Sequence, residues 1–124
     1  MQIIKTDKAP EAIGPYSQAV KYENLLFVSG QIAIDPNTQK FVGGDAKEQT
    51  ERVMKNIKAI LEEAGLSFSH VIKTTIYLKN IQDFEAVNKV YEKYFTEHKP
   101  ARATVEVSNL PKDALVEIEV IAGV

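Results

Sequence analysis

A chain of 124 residues, 44% hydrophobic and 26% charged, is long enough to bury one core without covalent staples, and it reads as a single globular domain over 1–124. Its formal net charge of -2 argues against the basic face that a phosphate-binding, nucleic-acid partner would need. The absence of cysteine removes disulfides, iron–sulfur clusters, thiolate zinc and a cysteine nucleophile. The two histidines, His70 and His98, stand apart with no ligand spacing around either, so no structural or catalytic zinc is expected. The first residues, Met1-Gln2-Ile3-Ile4-Lys5, lack the apolar core of a secretory signal. No apolar run approaches a membrane-spanning length. The expectation is a cytoplasmic protein with neither a membrane nor a nucleic-acid partner.

In chain order, a short strand over Gln2 to Lys5 is followed by the turn Gly14-Pro15 and a second weak strand over Tyr16 to Tyr22. Leu25 to Ile34 is a stronger strand, interrupted by Gly30 between Ser29 and Gln31. After Gly43-Gly44, Asp45 as N-cap and Glu48 three residues on form a capping-box pattern. Val53, Ile57, Ile60, Leu61 and Ala64 then keep helical spacing until Gly65 supplies a stop. Val71 to Leu78 is a strand. A second helix begins near Asn80 and runs toward His98, with Phe84, Val87, Tyr91, Tyr94 and Phe95 as its buried stripe and Pro100 ending it. The strands Ala101 to Val107 and Leu115 to Ile121 close the chain.

The order β-β-β-α-β-α-β-β predicts an α+β fold: a mixed sheet of about six strands with both helices on one face. Helices that follow strands point to crossovers between parallel strands, whereas the last two strands, joined through Asn109 to Asp113, read as an antiparallel pair. Two helices cover one face of such a sheet. Leu25, Phe27, Tyr77 and Ile121 compete for the other, so an oligomer is expected to cover it.

If the last two strands pair directly, the register that buries Ala103, Val105 and Val107 together with Val116, Ile118 and Val120 places Arg102, Thr104, Glu117 and Glu119 on the helix-free face. A guanidinium and carboxylates would then gather where another chain closes over them. A solvated cross-strand ion pair is the plainer alternative. Asn88 falls inside the buried stripe of the second helix, where its amide needs a partner, a backbone group being the simplest. Gly30 marks either a bulge or a close approach by a ligand. Tyr16 fits core and site equally.

Together these segments resemble the RidA (YjgF) family over essentially the whole chain. The resemblance rests on Ala9-Pro10-Glu11-Ala12-Ile13-Gly14-Pro15-Tyr16-Ser17-Gln18-Ala19-Val20, on Val28-Ser29-Gly30-Gln31, on Pro100-Ala101-Arg102-Ala103-Thr104-Val105-Glu106-Val107 and on Leu110-Pro111-Lys112-Asp113-Ala114-Leu115-Val116-Glu117-Ile118-Glu119. It implies a chorismate-mutase-like fold and a homotrimer with clefts between subunits. It also implies cofactor-free hydrolysis of 2-imino and enamino acids, such as 2-iminobutanoate and 2-iminopropanoate, to 2-keto acids and ammonia. By the same resemblance Arg102 holds the substrate carboxylate and Glu117 handles the attacking water. Tyr16, Ser29, Gly30 and Asn88 line the pocket, and Thr104 contributes where many members carry cysteine, its backbone supplying the contact.

These residue types suit the reaction. Arginine presents a planar fork that matches a carboxylate bidentately and stays charged. A glutamate in a closed cleft can position water and exchange protons with the carbinolamine. A regulatory trimer that binds a small carboxylate without catalysis would use the same arginine. Ribonuclease or translation-inhibitor activity, assigned to some family members, is disfavoured by the acidic balance and the lack of paired histidines.

Overall fold

The computed structural model describes residues 1–124. Eight strands and two α-helices run in the order β1 (Gln2–Ile4), β2 (Ala19–Tyr22), β3 (Leu25–Gln31), β4 (Ile34–Asp35), β5 (Lys40–Phe41), α1 (Ala46–Glu63), β6 (Val71–Leu78), α2 (Phe84–Glu92), β7 (Ala101–Glu106) and β8 (Val116–Gly123). Six strands form one mixed sheet in the order β1-β2-β3-β8-β6-β7, and β4 pairs with β5 in a separate small hairpin.

Helix α1 starts and stops as its sequence dictates. Asp45 accepts a hydrogen bond from the Glu48 amide at 2.8 Å, and the Glu48 carboxylate accepts one from the Asp45 amide at 3.3 Å. At the other end Gly65, with φ of +76°, allows the amides of Gly65 and Leu66 to reach the carbonyls of Glu62 and Leu61, a Schellman closure. Between these ends Val53, Met54, Ile57, Ile60 and Leu61 are fully buried against the sheet. The polar residues on that face have assigned work. Asn56 donates to the carbonyl of Ile34 and Gln49 accepts from the Leu115 amide, so the helix fixes the β4–β5 hairpin and the entry to β8.

Strand β8 is central. Val116, Ile118, Val120 and Ala122 are buried under the helices while Glu117, Glu119 and Ile121 face the other way. Leu26 and Val28 of β3 and Thr74, Ile76 and Leu78 of β6 complete the helix-covered face. Opposite, Phe27 is paired with Ile121 and Phe27 remains 43% exposed, with Tyr22 and Leu25 exposed beside it. The helix-free face is thus markedly apolar, as the strand pattern required.

Several expectations need correcting. The first strong strand ends at Gln31, and Ile34 belongs to the small β4–β5 hairpin, which the sequence pattern did not show. Of Tyr16 to Tyr22 only Ala19–Tyr22 is strand. The second helix is regular only over Phe84–Glu92, so Tyr94 and Phe95 pack from the turn that follows.

The largest correction concerns the last two strands. They are not neighbours, because β6 lies between them, parallel to β7 and antiparallel to β8. Thr74 is paired with both Arg102 and Val120, and Tyr77 with both Val105 and Glu117. Arg102 and Thr104 therefore share the helix-covered face with Val120 and Ile118, whereas Glu117 and Glu119 lie on the opposite face with Val105. β7 is an edge strand, so its aliphatic residues need not be buried by this chain's own helices, and Val105 is 43% exposed.

Candidate functional site

The predicted site residues fall into two groups on opposite faces of the sheet. The first lies where β7 meets α2. Asn88, one turn into α2, accepts a hydrogen bond from Arg102 Nη1 at 2.6 Å. The partner required by an amide in that stripe is therefore a guanidinium, not a backbone group. Arg102 is also placed over two rings, 5.1 Å from the centroid of Tyr91 and 5.5 Å from that of Phe84. Such contacts hold the planar group flat without consuming its donors. Tyr91 is itself fixed, its hydroxyl 2.7 Å from the buried Thr74 hydroxyl. No carboxylate of the chain pairs with Arg102, the ion pairs being Lys79–Asp113 and Lys93–Glu51. A cleft of about 410 Å³ opens beside it, lined by Asn88, Tyr91, Lys99 and Arg102 among others. Thr104 lies two residues further along the same face of β7, and its hydroxyl is buried without a hydrogen-bond partner.

The second group surrounds Glu117. A cleft of about 340 Å³ is lined by Tyr16, Gly30, Gln31, Lys112 and Glu117 among others. Gly30 sits at a break in the β3–β8 register between Val28 and Gln31, so the bulge reading holds. The close approach found at this glycine comes from within the chain: a Cβ at position 30 would lie 2.6 Å from Glu117 Oε2. Glycine is what lets the carboxylate stand there. Burial, with the nearby Glu119 charge adding to it, raises the Glu117 proton affinity above the ordinary carboxylate range. Glu119 is occupied otherwise, accepting from the Tyr77 hydroxyl at 2.5 Å.

Ser29 adjoins this group, but its hydroxyl donates to the Ser17 carbonyl at 2.6 Å. Its side chain thereby ties the bulge to the segment carrying Tyr16. Tyr16 is 53% exposed, its hydroxyl accepting from the Ile13 amide at 3.4 Å. The same segment is held by a residue to which the sequence reading gave no role. The buried Gln18 side chain accepts from the Thr6 amide at 2.7 Å and donates to the Pro10 carbonyl at 2.7 Å. The clue was a glutamine directly preceding a strand in the block Ser17-Gln18-Ala19, where a long amide is costly to bury unless it is bonded. Gln18 also borders the largest cavity, about 560 Å³ between the N-terminal segment and the β4–β5 turn. Of the site residues expected from the sequence, only Tyr16 lines that cavity.

Within one chain, then, a small molecule held by Arg102 does not reach Glu117. His70 and His98 stay apart: His70 Nδ1 accepts from the Ser67 amide, and His98 Nε2 lies 2.8 Å from the Val71 carbonyl oxygen. No group of three or more histidine, aspartate or glutamate side chains is placed to hold a metal ion. No helix is long and apolar enough to cross a membrane.

An α+β domain with two helices on a mixed six-stranded sheet, an anchored arginine and a half-buried glutamate is the architecture of a known class. Residues 6–124 match the family described as Endoribonuclease L-PSP. The chain is 61% identical over 121 residues to a RutC family protein of Pyrococcus abyssi, covering 98% of this chain and 95% of that one. It is 49% identical over 121 residues to Reactive Intermediate Deaminase A, chloroplastic, of Arabidopsis thaliana, covering 98% of this chain and 65% of the relative. The crystal structure of RidA from the Antarctic bacterium Psychrobacter sp. PAMC 21119 superposes with a TM-score of 0.96 at 47% identity, over the full length of both chains. The chain belongs to the RidA (YjgF) family.

Proposed function

We propose that this protein is a cofactor-free deaminase of 2-imino and enamino acids such as 2-iminobutanoate and 2-iminopropanoate. In this reading its site forms between copies of the chain, in a homotrimer, with the Arg102 cleft of one copy meeting the Glu117 cleft of another. The observation that carries the reading is a pair of complementary, unpaired groups. Arg102 is aligned by Asn88 and two rings yet has no anionic partner. Glu117 is half-buried, has its proton affinity raised, and stands beside a glycine that makes room for it. The relative from Arabidopsis thaliana, named a reactive intermediate deaminase, supports the reaction class.

The chemistry follows from these groups. Arg102 takes the substrate carboxylate in a bidentate fork and presents the imine carbon at a fixed angle. Glu117 accepts a proton from water as the water adds to the carbon of the protonated imine, giving a neutral carbinolamine. It then returns that proton to nitrogen and takes up the carbinolamine hydroxyl proton as the C–N bond breaks, so that the keto group forms, ammonia leaves, and the last proton passes to the departing ammonia. A carboxylate of raised proton affinity is better matched to both steps near neutral pH than an ordinary one.

The test generates imines from threonine with a dehydratase and follows keto-acid release. Wild type accelerates release, Arg102→Lys loses most of the acceleration, and Glu117→Gln lowers turnover more than affinity. No acceleration by wild type, with tight carboxylate binding, would assign a sensor in place of an enzyme.

A further inference from the structure

Three residues of α2 hold the Arg102 guanidinium. Asn88 takes Nη1, and the rings of Phe84 and Tyr91 lie against the planar group. Spacings of three and four along a helix put all three on one face. The grip is therefore only as steady as the seat of that face on the sheet. Apart from Arg102's own bond to Asn88, one side-chain hydrogen bond joins α2 to the sheet, and it links the Tyr91 and Thr74 hydroxyls over 2.7 Å. Thr74 is also the ladder partner of Arg102 on β6. It stands beside the arginine at the strand spacing of about 4.8 Å and meets it again through the ring. Arg102, Thr74 and Tyr91 thus close a triangle that spans β7, β6 and α2.

Packing alone does not call for this bond. Thr74 is 1% exposed and Tyr91 6%, and a valine facing a phenylalanine would fill the same space with no polar atom to satisfy. What the hydroxyl pair adds is direction. A ring held by apolar contacts, here the tilted Phe95 ring at 4.7 Å, keeps some freedom to rock, and a hydrogen bond at its far end removes it. Burial pushes the Tyr91 phenol above its ordinary pKa, so its proton stays in place at neutral pH. We infer that Thr74 is a positioning residue for the carboxylate anchor, tying the Tyr91 ring so that the Arg102 fork faces its cleft at one fixed angle. The inference rests on the anchoring role proposed for Arg102. It places a determinant of affinity in the core, at a residue that does not line the cleft.

The experiment measures 2-oxobutanoate binding by calorimetry, thermal melting and solution mass. The proteins are wild type, Arg102→Lys, Thr74→Val, Thr74→Ser, Tyr91→Phe and the double variant Thr74→Val/Tyr91→Phe. Thr74→Val and Tyr91→Phe each break the bond and should bind roughly 2- to 30-fold more weakly, the worth of a cation–π contact expressed as a binding ratio. Thr74→Ser keeps a hydroxyl and should keep most of the affinity. Thr74→Val leaves the Tyr91 hydroxyl buried without a partner and should melt lower. The double variant removes both polar atoms, so its melting temperature should return toward wild type while its affinity stays as low as that of the single variants. A merely structural pair would recover binding together with stability. Wild-type affinity in Thr74→Val, equal weakness of Thr74→Ser and Thr74→Val, or affinity restored in the double variant overturns the inference and leaves the anchor intact. Weaker binding that comes with a smaller assembly overturns it too. A wild type that does not bind 2-oxobutanoate, or an Arg102→Lys variant that binds it equally well, overturns the anchor and the inference together.

Discussion

If Arg102 and Glu117 serve one substrate from different chains, two inactive variants should rescue each other. Arg102→Lys removes the fork, and losing one charge-assisted hydrogen bond of about 1.5–3 kcal/mol lowers kcat/KM by roughly 10- to 150-fold. Glu117→Gln removes acid–base assistance, about 10²–10⁴-fold. In a random mixture, a site regains both native groups when its arginine comes from a Glu117→Gln chain and its glutamate from an Arg102→Lys chain. With a fraction f of one variant the chance is f(1 − f), about one quarter at equal amounts, whether the assembly is a ring or a two-fold dimer. Denaturing the two variants together and refolding them should therefore restore about a quarter of wild-type activity from parents with about a tenth or less. Diluting wild type with the double variant gives a matching control: activity should fall as the square of the wild-type fraction. Rescue that never exceeds the average of the parents, with a linear dilution curve, would refute a shared site.

Gly30→Ala places a methyl 2.6 Å from Glu117 Oε2. The flexible carboxylate can swing away, so melting should change little while turnover falls about 10²-fold, as expected when a reacting group is misplaced by an ångström. Steady-state kinetics beside a melting curve separates the two. The raised proton affinity of Glu117 means that the folded chain binds this proton more tightly than the unfolded one. Its stabilising contribution is present at low pH and is lost as pH climbs from the unfolded pKa through the folded one. Melts across that window should show Glu117→Gln gaining on wild type as pH rises, and the acidic limb of kcat/KM should sit above the ordinary carboxylate range; parallel melting profiles would contradict the burial assigned to Glu117. Asp45→Ala removes the α1 capping box and should cost about 1 kcal/mol, lowering Tm by roughly 3–6 °C with kcat unchanged.

Much of this was legible in the residues because local and global signals agreed. Asp45, Glu48 and Gly65 bound α1 as their spacing demanded, and the alternation of β8 placed Glu117 opposite Val116 and Ile118. The crossover through α2 gave the parallel β6–β7 pair. Strand adjacency was not legible. Consecutive strands often pair, yet β7 and β8 admit β6 between them, and nothing in the composition of β7 distinguishes an edge strand whose valines face outward from one whose valines face in. That one ambiguity moved Arg102 across the sheet. The β4–β5 hairpin escaped notice because two-residue strands carry no periodicity, and Gln18 because its bonds go to the irregular segment Thr6 to Pro10, which has no pattern that points to a partner.

The proposed anchor and the proposed proton carrier occupy parts of the sheet with unequal support. Glu117 lies on β8, laddered on both sides, whereas Arg102 lies on β7, joined to the sheet by β6 alone. Amides of a border strand exchange with solvent through small local openings, while those of an interior strand wait for the whole domain to come apart. Warming or mild denaturant should therefore loosen the grip on the acid while the rest of the molecule still reads as native, and activity would fade before any spectroscopic sign of unfolding.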